Sequence, residues 1–265
     1  MKITVVQPKY YSGDTPDVVI ADFLKEKLTE VEPNGLIVLP EYSNAGGLSD
    51  PKKELLALPR AEEMLKIASE AAKEKSAYVV INVLEKRNGD IKNSSYLFNK
   101  SGEIAFVYDK IHLPPSEVKL GVAYGDGNCT CEVDGIRFGF MTCYDVYYNE
   151  QIEHMAKFRP DIVVIPGYQR GERTDIIRAQ AKLTAFRLNS FVARSSYSMD
   201  DEDHGGCSMI VAPDGIILKD LGMEVGTASA EVDPHFKYMR SAGFGEGLVP
   251  NDQFISSGLR AEIFK

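Results

Sequence analysis

Apolar residues along the chain fall into two kinds of run, and their alternation outlines the elements. Residues 3–6 and 36–40 are short β-rich runs bounded by turn-forming Gly and Pro, and between them Val18, Val19, Phe23, Leu24 and Leu28 fall on one helical face. A second helix is predicted over about 59–74, with Met64, Leu65, Ile67, Ala68 and Ala71 inward, leading into a strand at 78–84. The Asn88-Gly89 pair favours a type I′ hairpin and 99–102 is a second turn, so a β-meander runs to a strand at 103–109, which Pro114 and Pro115 keep from continuing. A long loop is expected over 113–128, a hairpin turn at 133–137 and a strand into Cys143. A helix over 149–158 then precedes 161–166, an apolar run expected of a strand buried on both faces. Thr174 is the expected N-cap of a helix reaching Asn189, followed by strands at 191–195 and 209–212 and a turn at 213–215. The tail beyond Pro234 has little periodicity and is expected to reach a subunit interface, about residues 235–265.

Strands and helices alternate without a repeat or a linker, which favours one α/β domain over 1–265, a length such folds reach as a single unit. With 44% hydrophobic and 26% charged residues the composition is that of a globular chain, not a disordered or collagen-like one. The 30 basic against 39 acidic residues give a net charge of −9, the wrong sign for neutralising phosphates, so no nucleic-acid partner is expected. The apolar runs are far shorter than the ~20 residues that cross a bilayer, and the first residues lack a signal-peptide pattern. No membrane association is expected, and a cytoplasmic location is. There the four cysteines, Cys129, Cys131, Cys143 and Cys207, are read as thiols. Cys129 and Cys131 form C-x-C, not a zinc or redox pair, and are read as structural; the four histidines show no metal-ligand spacing, so neither metal nor cofactor is signalled.

Three polar residues each follow a strand: Glu41, Lys110 and Cys143. In open α/β sheets the ligand crevice lies at strand ends, where a base, a cation and a nucleophile would meet. Such a trio suffices for acyl transfer: the carboxylate takes the thiol proton, the ammonium stabilises an oxyanion and the thiolate attacks. Taken singly, each is an ordinary loop charge or core thiol. A histidine base for Cys143, with His154 or His204 in that role, is an alternative, as is a binding module without activity. Gly125-Asp126-Gly127 and the glycines at 243–247 lack the following helix that phosphate binding needs.

The surroundings of the trio add specificity. Leu39-Pro40-Glu41-Tyr42, Tyr108-Asp109-Lys110-Ile111-His112-Leu113 and Gly139-Phe140-Met141-Thr142-Cys143-Tyr144-Asp145 occur in the order found in the nitrilase superfamily of carbon–nitrogen hydrolases, which the chain resembles over roughly 1–235. Val5-Val6-Gln7, the stretch 159–166, Arg178-Ala179-Gln180-Ala181 and the stretch 206–215 extend the likeness. The resemblance implies a four-layer α-β-β-α sandwich and hydrolysis through a thioester on Cys143, with Glu41 as base and Lys110 on the oxyanion. It also implies a second glutamate, matched by Glu117, and a homodimer or larger homo-oligomer. The N–H of Tyr144 is expected in the oxyanion hole with its ring at the pocket, and Tyr168 is a candidate pocket residue. Where many members carry Arg and Pro after the Cys-Tyr-Asp, this chain has Val146 and Asn149. Tyr-Asp after the cysteine looks more like amidases than true nitrilases. A small linear amide is therefore the expected substrate, with an N-carbamoyl amine or amino acid as the alternative.

Overall fold

The protein is described from a computed structural model that covers residues 1–48, 51–260 and 263. Its first half runs β1 (Lys2–Gln7), α1 (Pro16–Glu30), β2 (Gly35–Val38), α2 (Pro51–Leu56), α3 (Arg60–Lys75), β3 (Tyr78–Arg87), β4 (Asp90–Phe98), β5 (Ile104–Asp109) and α4 (Pro115–Leu120). The second half runs β6 (Thr130–Val133), β7 (Ile136–Phe140), a 3₁₀ turn (Cys143–Tyr147), α5 (Asn149–Ala156), β8 (Ile162–Pro166), α6 (Thr174–Leu188), β9 (Phe191–Ser195) and β10 (Met209–Val211). β11 (Ile217–Asp220), β12 (Gly226–Glu231), β13 (Met239–Ser241), β14 (Leu248–Pro250) and α7 (Asn251–Ser257) complete it.

Two six-stranded sheets follow one plan, β12-β1-β2-β3-β4-β5 and β11-β10-β9-β8-β7-β6. In each, three central strands are parallel (β1, β2, β3 and β7, β8, β9) and the outer pairs antiparallel. The alternation of side chains sends Ile3, Val5, Leu36, Val38, Tyr78 and Val80 to the core between the sheets. Ile37, Leu39, Val79 and Ile81 go outward instead, onto Ile20, Leu24, Leu28, Met64 and Ala68 of α1 and α3. On the other side α5 and α6 cover the second sheet through Met155, Ile177, Ala181 and Leu188. The result is the four-layer α-β-β-α sandwich expected from the resemblance. Two covered faces explain why every residue of β8 is buried. The buried Gln7 side chain ties β1 to the second sheet, accepting from the Ser208 amide at 2.8 Å and donating to the Gly222 and Glu224 carbonyls, both at 2.9 Å.

Asn88 and Gly89 both have positive φ (53° and 94°), as a type I′ turn requires, and Asp134-Gly135 repeats this (51° and 77°). Elsewhere the structure corrects the reading. The stretch 113–128 is not all loop: α4 begins with Pro115 in its first turn and ends on Gly121 at φ 87°. Thr174 is the first helical residue of α6, not its N-cap. Arg173 takes that position without a side-chain cap, and the Thr174 hydroxyl turns to the Glu202 carbonyl. The aperiodic tail forms β13, β14 and α7, which dock where Asn251 Nδ2 donates to the Phe186 carbonyl (2.6 Å) and Asp252 meets Arg159 (2.7 Å). Among the described residues no helix is long and apolar enough to cross a membrane.

Phe138 is fully buried and meets the Tyr78 ring edge-on at 5.6 Å across the sheet interface. Phe138→Ala is expected to cost about 3–5 kcal/mol, read in urea unfolding as a lower midpoint at unchanged slope.

Candidate active site

Glu41, Lys110 and Cys143 come from three strand ends on the same side of the paired sheets. Each is held by backbone pairing next to it. The Leu39 amide bonds the Val80 carbonyl and the Ser43 amide the Asn82 carbonyl, so the Glu41 segment runs along the end of β3. Lys110 is clamped on both sides: its N–H donates to the Asn93 carbonyl and its carbonyl accepts from the Gly125 amide, both at 2.9 Å. From beyond β9, the Tyr197 hydroxyl donates to the Glu41 carbonyl at 2.7 Å.

Their side chains meet. Lys110 Nζ lies 2.8 Å from Glu41 Oε1 and 2.9 Å from Glu117 Oε1, with all three residues buried. Asn93 donates its amide to the same two oxygens at 2.8 and 2.9 Å, and the Tyr42 hydroxyl adds a 2.6 Å bond to Glu117. Asn82 in turn donates to Asn93 Oδ1 (2.7 Å) and accepts the Tyr42 amide (2.9 Å). Glu117 Oε2 is buried and has no hydrogen-bond partner among the described residues. Cys143 stands beside this cluster, lining the same cavity as Glu41, Lys110 and Glu117.

Burial sets the proton affinities. It raises the Glu41 carboxyl above the usual range against the pull of Lys110, with Glu117 pushing the same way as burial. Burial also works against the Lys110 charge, but Glu41 and Glu117 reverse the effect and hold the ammonium well above the ordinary lysine value. The Cys143 thiol is pushed up by burial and then by the charge of Glu41, while Lys110 and the backbone N–H of Tyr168 draw it down. The resting form of Cys143 is therefore the neutral thiol.

The cysteine sits in a left-handed conformation, φ 48°, uncommon outside glycine. Asp145 supports that turn from below. Fully buried, it accepts from the Thr142 amide (2.8 Å), the Tyr108 hydroxyl (2.6 Å) and the His112 amide (2.9 Å), and so joins the cysteine turn to the lysine segment. The His112 ring also bonds Asp145, at 3.0 Å, and stacks on Tyr148. His204 Nδ1 pairs with Asp201 (3.0 Å), and His154 lies against Phe158. Tyr168 lines the cavity over Cys143, its hydroxyl accepting from the Gly47 amide at 2.8 Å. The Tyr144 ring instead turns onto Tyr147 and Tyr148, with centroids 5.5 and 5.3 Å away.

Several residues around the site had no motif to announce them. Asn82 is the one polar residue in the apolar run 78–84 of β3, and that is the available signal for it; Asn93 stands among Lys92, Ser94 and Ser95 in β4, where polarity singles out nothing. Arg194 lies in β9, fully buried, and donates to the Gly206 and Cys207 carbonyls (2.6 and 3.0 Å) and to Gln169 (3.1 Å). It backs the segment that presents Tyr168. The cavity itself measures about 200 Å³ and is lined by Tyr42, Glu54, Pro114, Ser116 and Arg170 besides the residues above. Among the described residues no three His, Cys, Asp or Glu side chains gather as a metal site.

A family model described as carbon-nitrogen hydrolase matches residues 2–238. The chain is 28% identical over 238 residues to an (R)-stereoselective amidase from Pseudomonas sp, covering 88% of this chain and 85% of that one. It is 26% identical over 227 residues to a 2-oxoglutaramate amidase from Bacillus subtilis (strain 168), covering 84% and 86%. Among solved structures, an amidase of Nesterenkonia sp. AN1 from the nitrilase superfamily superposes with a TM-score of 0.76 at 17% identity, over 100% of this chain and 95% of that one.

Gly125 packs so closely on the lysine segment that a Cβ would lie 2.1 Å from the Asp109 carbonyl oxygen and 3.2 Å from that of Lys110. Backbone atoms must move to admit it. Gly125→Ala is expected to lower kcat about 10-fold or more by displacing Lys110, since misplacement by ~1 Å can cost as much as 100-fold. Steady-state kinetics alongside a folded circular-dichroism spectrum check this.

Proposed function

The chain belongs to the carbon–nitrogen hydrolase family, and on that footing we propose that it is an amidase that hydrolyses a small linear amide through a thioester on Cys143. The observation that carries the reading is the buried Glu41–Lys110 pair in the same small cavity that Cys143 lines. Relatives named as amidases support it.

The chemistry follows from where protons can go. As Sγ attacks the amide carbon, Glu41 takes the thiol proton, so neither a free thiolate nor a buried carboxylate next to it need exist alone. The carbonyl oxygen becomes an anion. Lys110 has three N–H donors, two of which are given to Glu41 and Glu117, and the third serves this oxygen together with the Tyr144 N–H. Collapse breaks the C–N bond, and protonated Glu41 returns its proton to the departing nitrogen as ammonia leaves. Water then enters, gives a proton to Glu41 and attacks the thioester; the acid departs and the proton returns to sulfur. In this reading Glu117 transfers no proton. It orients Lys110 and keeps it charged.

Ammonia release from short amides is expected, without the carbon dioxide that N-carbamoyl cleavage adds. Cys143→Ala abolishes it, and Glu41→Gln lowers it by roughly 10²–10⁴-fold, the usual worth of a general base. A slowly turned-over amide leaves an acyl group on Cys143 in intact-mass spectra. Absence of both adduct and ammonia across amide, N-carbamoyl and nitrile substrates would refute the proposal.

The pH profile carries a further sign. Glu41 must be ionised to act as base and burial raises its pKa. Activity is thus retained above that pKa and lost as pH falls through it, and the acid limb of kcat/KM lies at higher pH than an ordinary glutamate would give. A limb at or below the ordinary glutamate value contradicts the assignment.

A further inference from the structure

Behind the cavity stands a second buried cation. Arg194, on the inner strand β9, is 2% exposed, and its hydrogen bonds go to neutral oxygens. Nη1 donates to the Gly206 and Cys207 carbonyls (2.6 and 3.0 Å) and Nη2 to Gln169 Oε1 (3.1 Å). A charge taken out of water is costly, and Lys110 already meets two carboxylates of its own. Burial works against the Arg194 charge, while the thiols of Cys207 and Cys143, when ionised, support it.

The guanidinium grips the segment that leaves β8. The Gly167 amide donates to the Ser195 carbonyl at 2.7 Å, Tyr168 lines the cavity with Cys143, and Gln169 turns back to Arg194. Gly167 makes room for the fork: a Cβ there would lie 3.2 Å from Nη2 and 3.5 Å from the guanidinium carbon. A guanidinium only donates, so it draws the carboxamide oxygen of Gln169 toward itself and leaves the NH2 pointing away. That NH2 donates to Gln180 Oε1 at 3.1 Å and reaches the Tyr147 hydroxyl at 3.5 Å, and the hydroxyl donates to Glu172. Tyr147 ends the 3₁₀ turn that begins at Cys143. One buried donor thus sets the direction of the polar contacts from β9 through the loop after β8 to the cysteine turn. Asp145 fixes the start of that turn through the Thr142 amide, and this network meets its end.

We propose that Arg194 is a positioning residue for the nucleophile: it holds the segment 167–169 so that the Tyr168 backbone and the cysteine turn keep their places around Cys143. It touches no reacting atom. The proposal rests on the amidase reading above and adds a group outside the cavity on which the reaction depends.

Arg194→Met keeps much of the side-chain length without the donors. It is expected to lower kcat on a short amide about 10-fold or more with KM changed less than about threefold, as lost geometry around a bound substrate does. Gln169→Leu cuts the link and leaves the cation, and should lose kcat to a similar degree. Because the two residues act through one contact, the double variant should lose no more than the worse single one, whereas independent packing defects add. Arg194→Lys, which keeps a donor, should recover part of the loss. Additive losses, or a kcat within about threefold of the unsubstituted enzyme in folded Arg194→Met, overturn the proposal. Should Arg194→Met not fold, as judged by circular dichroism and urea unfolding, Gln169→Leu decides by the same threshold. Alkylation of Cys143 by iodoacetamide, followed by peptide mass spectrometry across a pH series, needs no turnover. The Tyr168 N–H favours the thiolate. Displacing it should move the alkylation profile to higher pH and slow the reaction about threefold or more at a given pH, the scale of one hydrogen bond. Slower alkylation in both single variants supports the positioning role even where no amide is cleaved, in which case the amidase reading alone fails. An unchanged alkylation profile in both overturns the proposal.

Discussion

The candidate site depends on one buried ammonium. Lys110 is 1% exposed, with carboxylates at 2.8 and 2.9 Å on opposite demands: without them its charge would be lost to burial, and without it they would repel each other. Desolvation of each ion costs several kcal/mol, so the cluster exists only because every charge finds partners. Asn93 and Tyr42 supply the remaining donors, on the same two oxygens that Lys110 uses. Such a cluster adds little net stability compared with an apolar core of the same shape. What it secures is a cation and a raised carboxyl at fixed positions beside a thiol.

Fixed positions need a stiff frame, and the sandwich provides one. Parallel strands at the centre of both sheets are buried on two faces, so their ends cannot shift without disturbing packed side chains on either side. The strain of a left-handed cysteine is tolerated for the same reason. Asp145 ties the Thr142 and His112 amides and the Tyr108 hydroxyl into one knot, and Arg194 holds the segment behind Tyr168 through three hydrogen bonds. Gly125 completes the frame by its lack of a side chain.

Floor and rim divide the labour. The floor is built from strand ends and carries Glu41, Lys110 and Cys143, to which the proposed mechanism assigns proton transfer, the oxyanion and the attack, while the rim is built from connections after β2 and β8 and from α2 and α4. Loops vary more readily than strand ends, so a rim can set which amide enters while the floor keeps one reaction. Arg170, held by two tyrosine rings, belongs to that outer division.

Much of this was legible in the chain. The period-two and helical spacings located most strands and the long helices, because a buried face repeats along the sequence. Glu41, Lys110 and Cys143 stood out because strand ends are where polar groups converge. Likeness of motif places Glu117, but the helix α4 that carries it leaves no periodic trace, because six residues are too few for a helical period to register. What lay beyond the sequence was contact between distant segments: Asn93 with Glu41 and Glu117, Asp145 with His112, Arg194 with Gly206, Gly125 with Asp109. The direction of a single ring was equally hidden, since Tyr144 and Tyr168 look alike as lone aromatics, yet the first turns to its tyrosine neighbours and the second faces the cavity. Periodicity and composition are properties of neighbours along the chain, whereas hydrogen-bond partners and proton affinities arise from groups that only folding brings out of water and into one another's field.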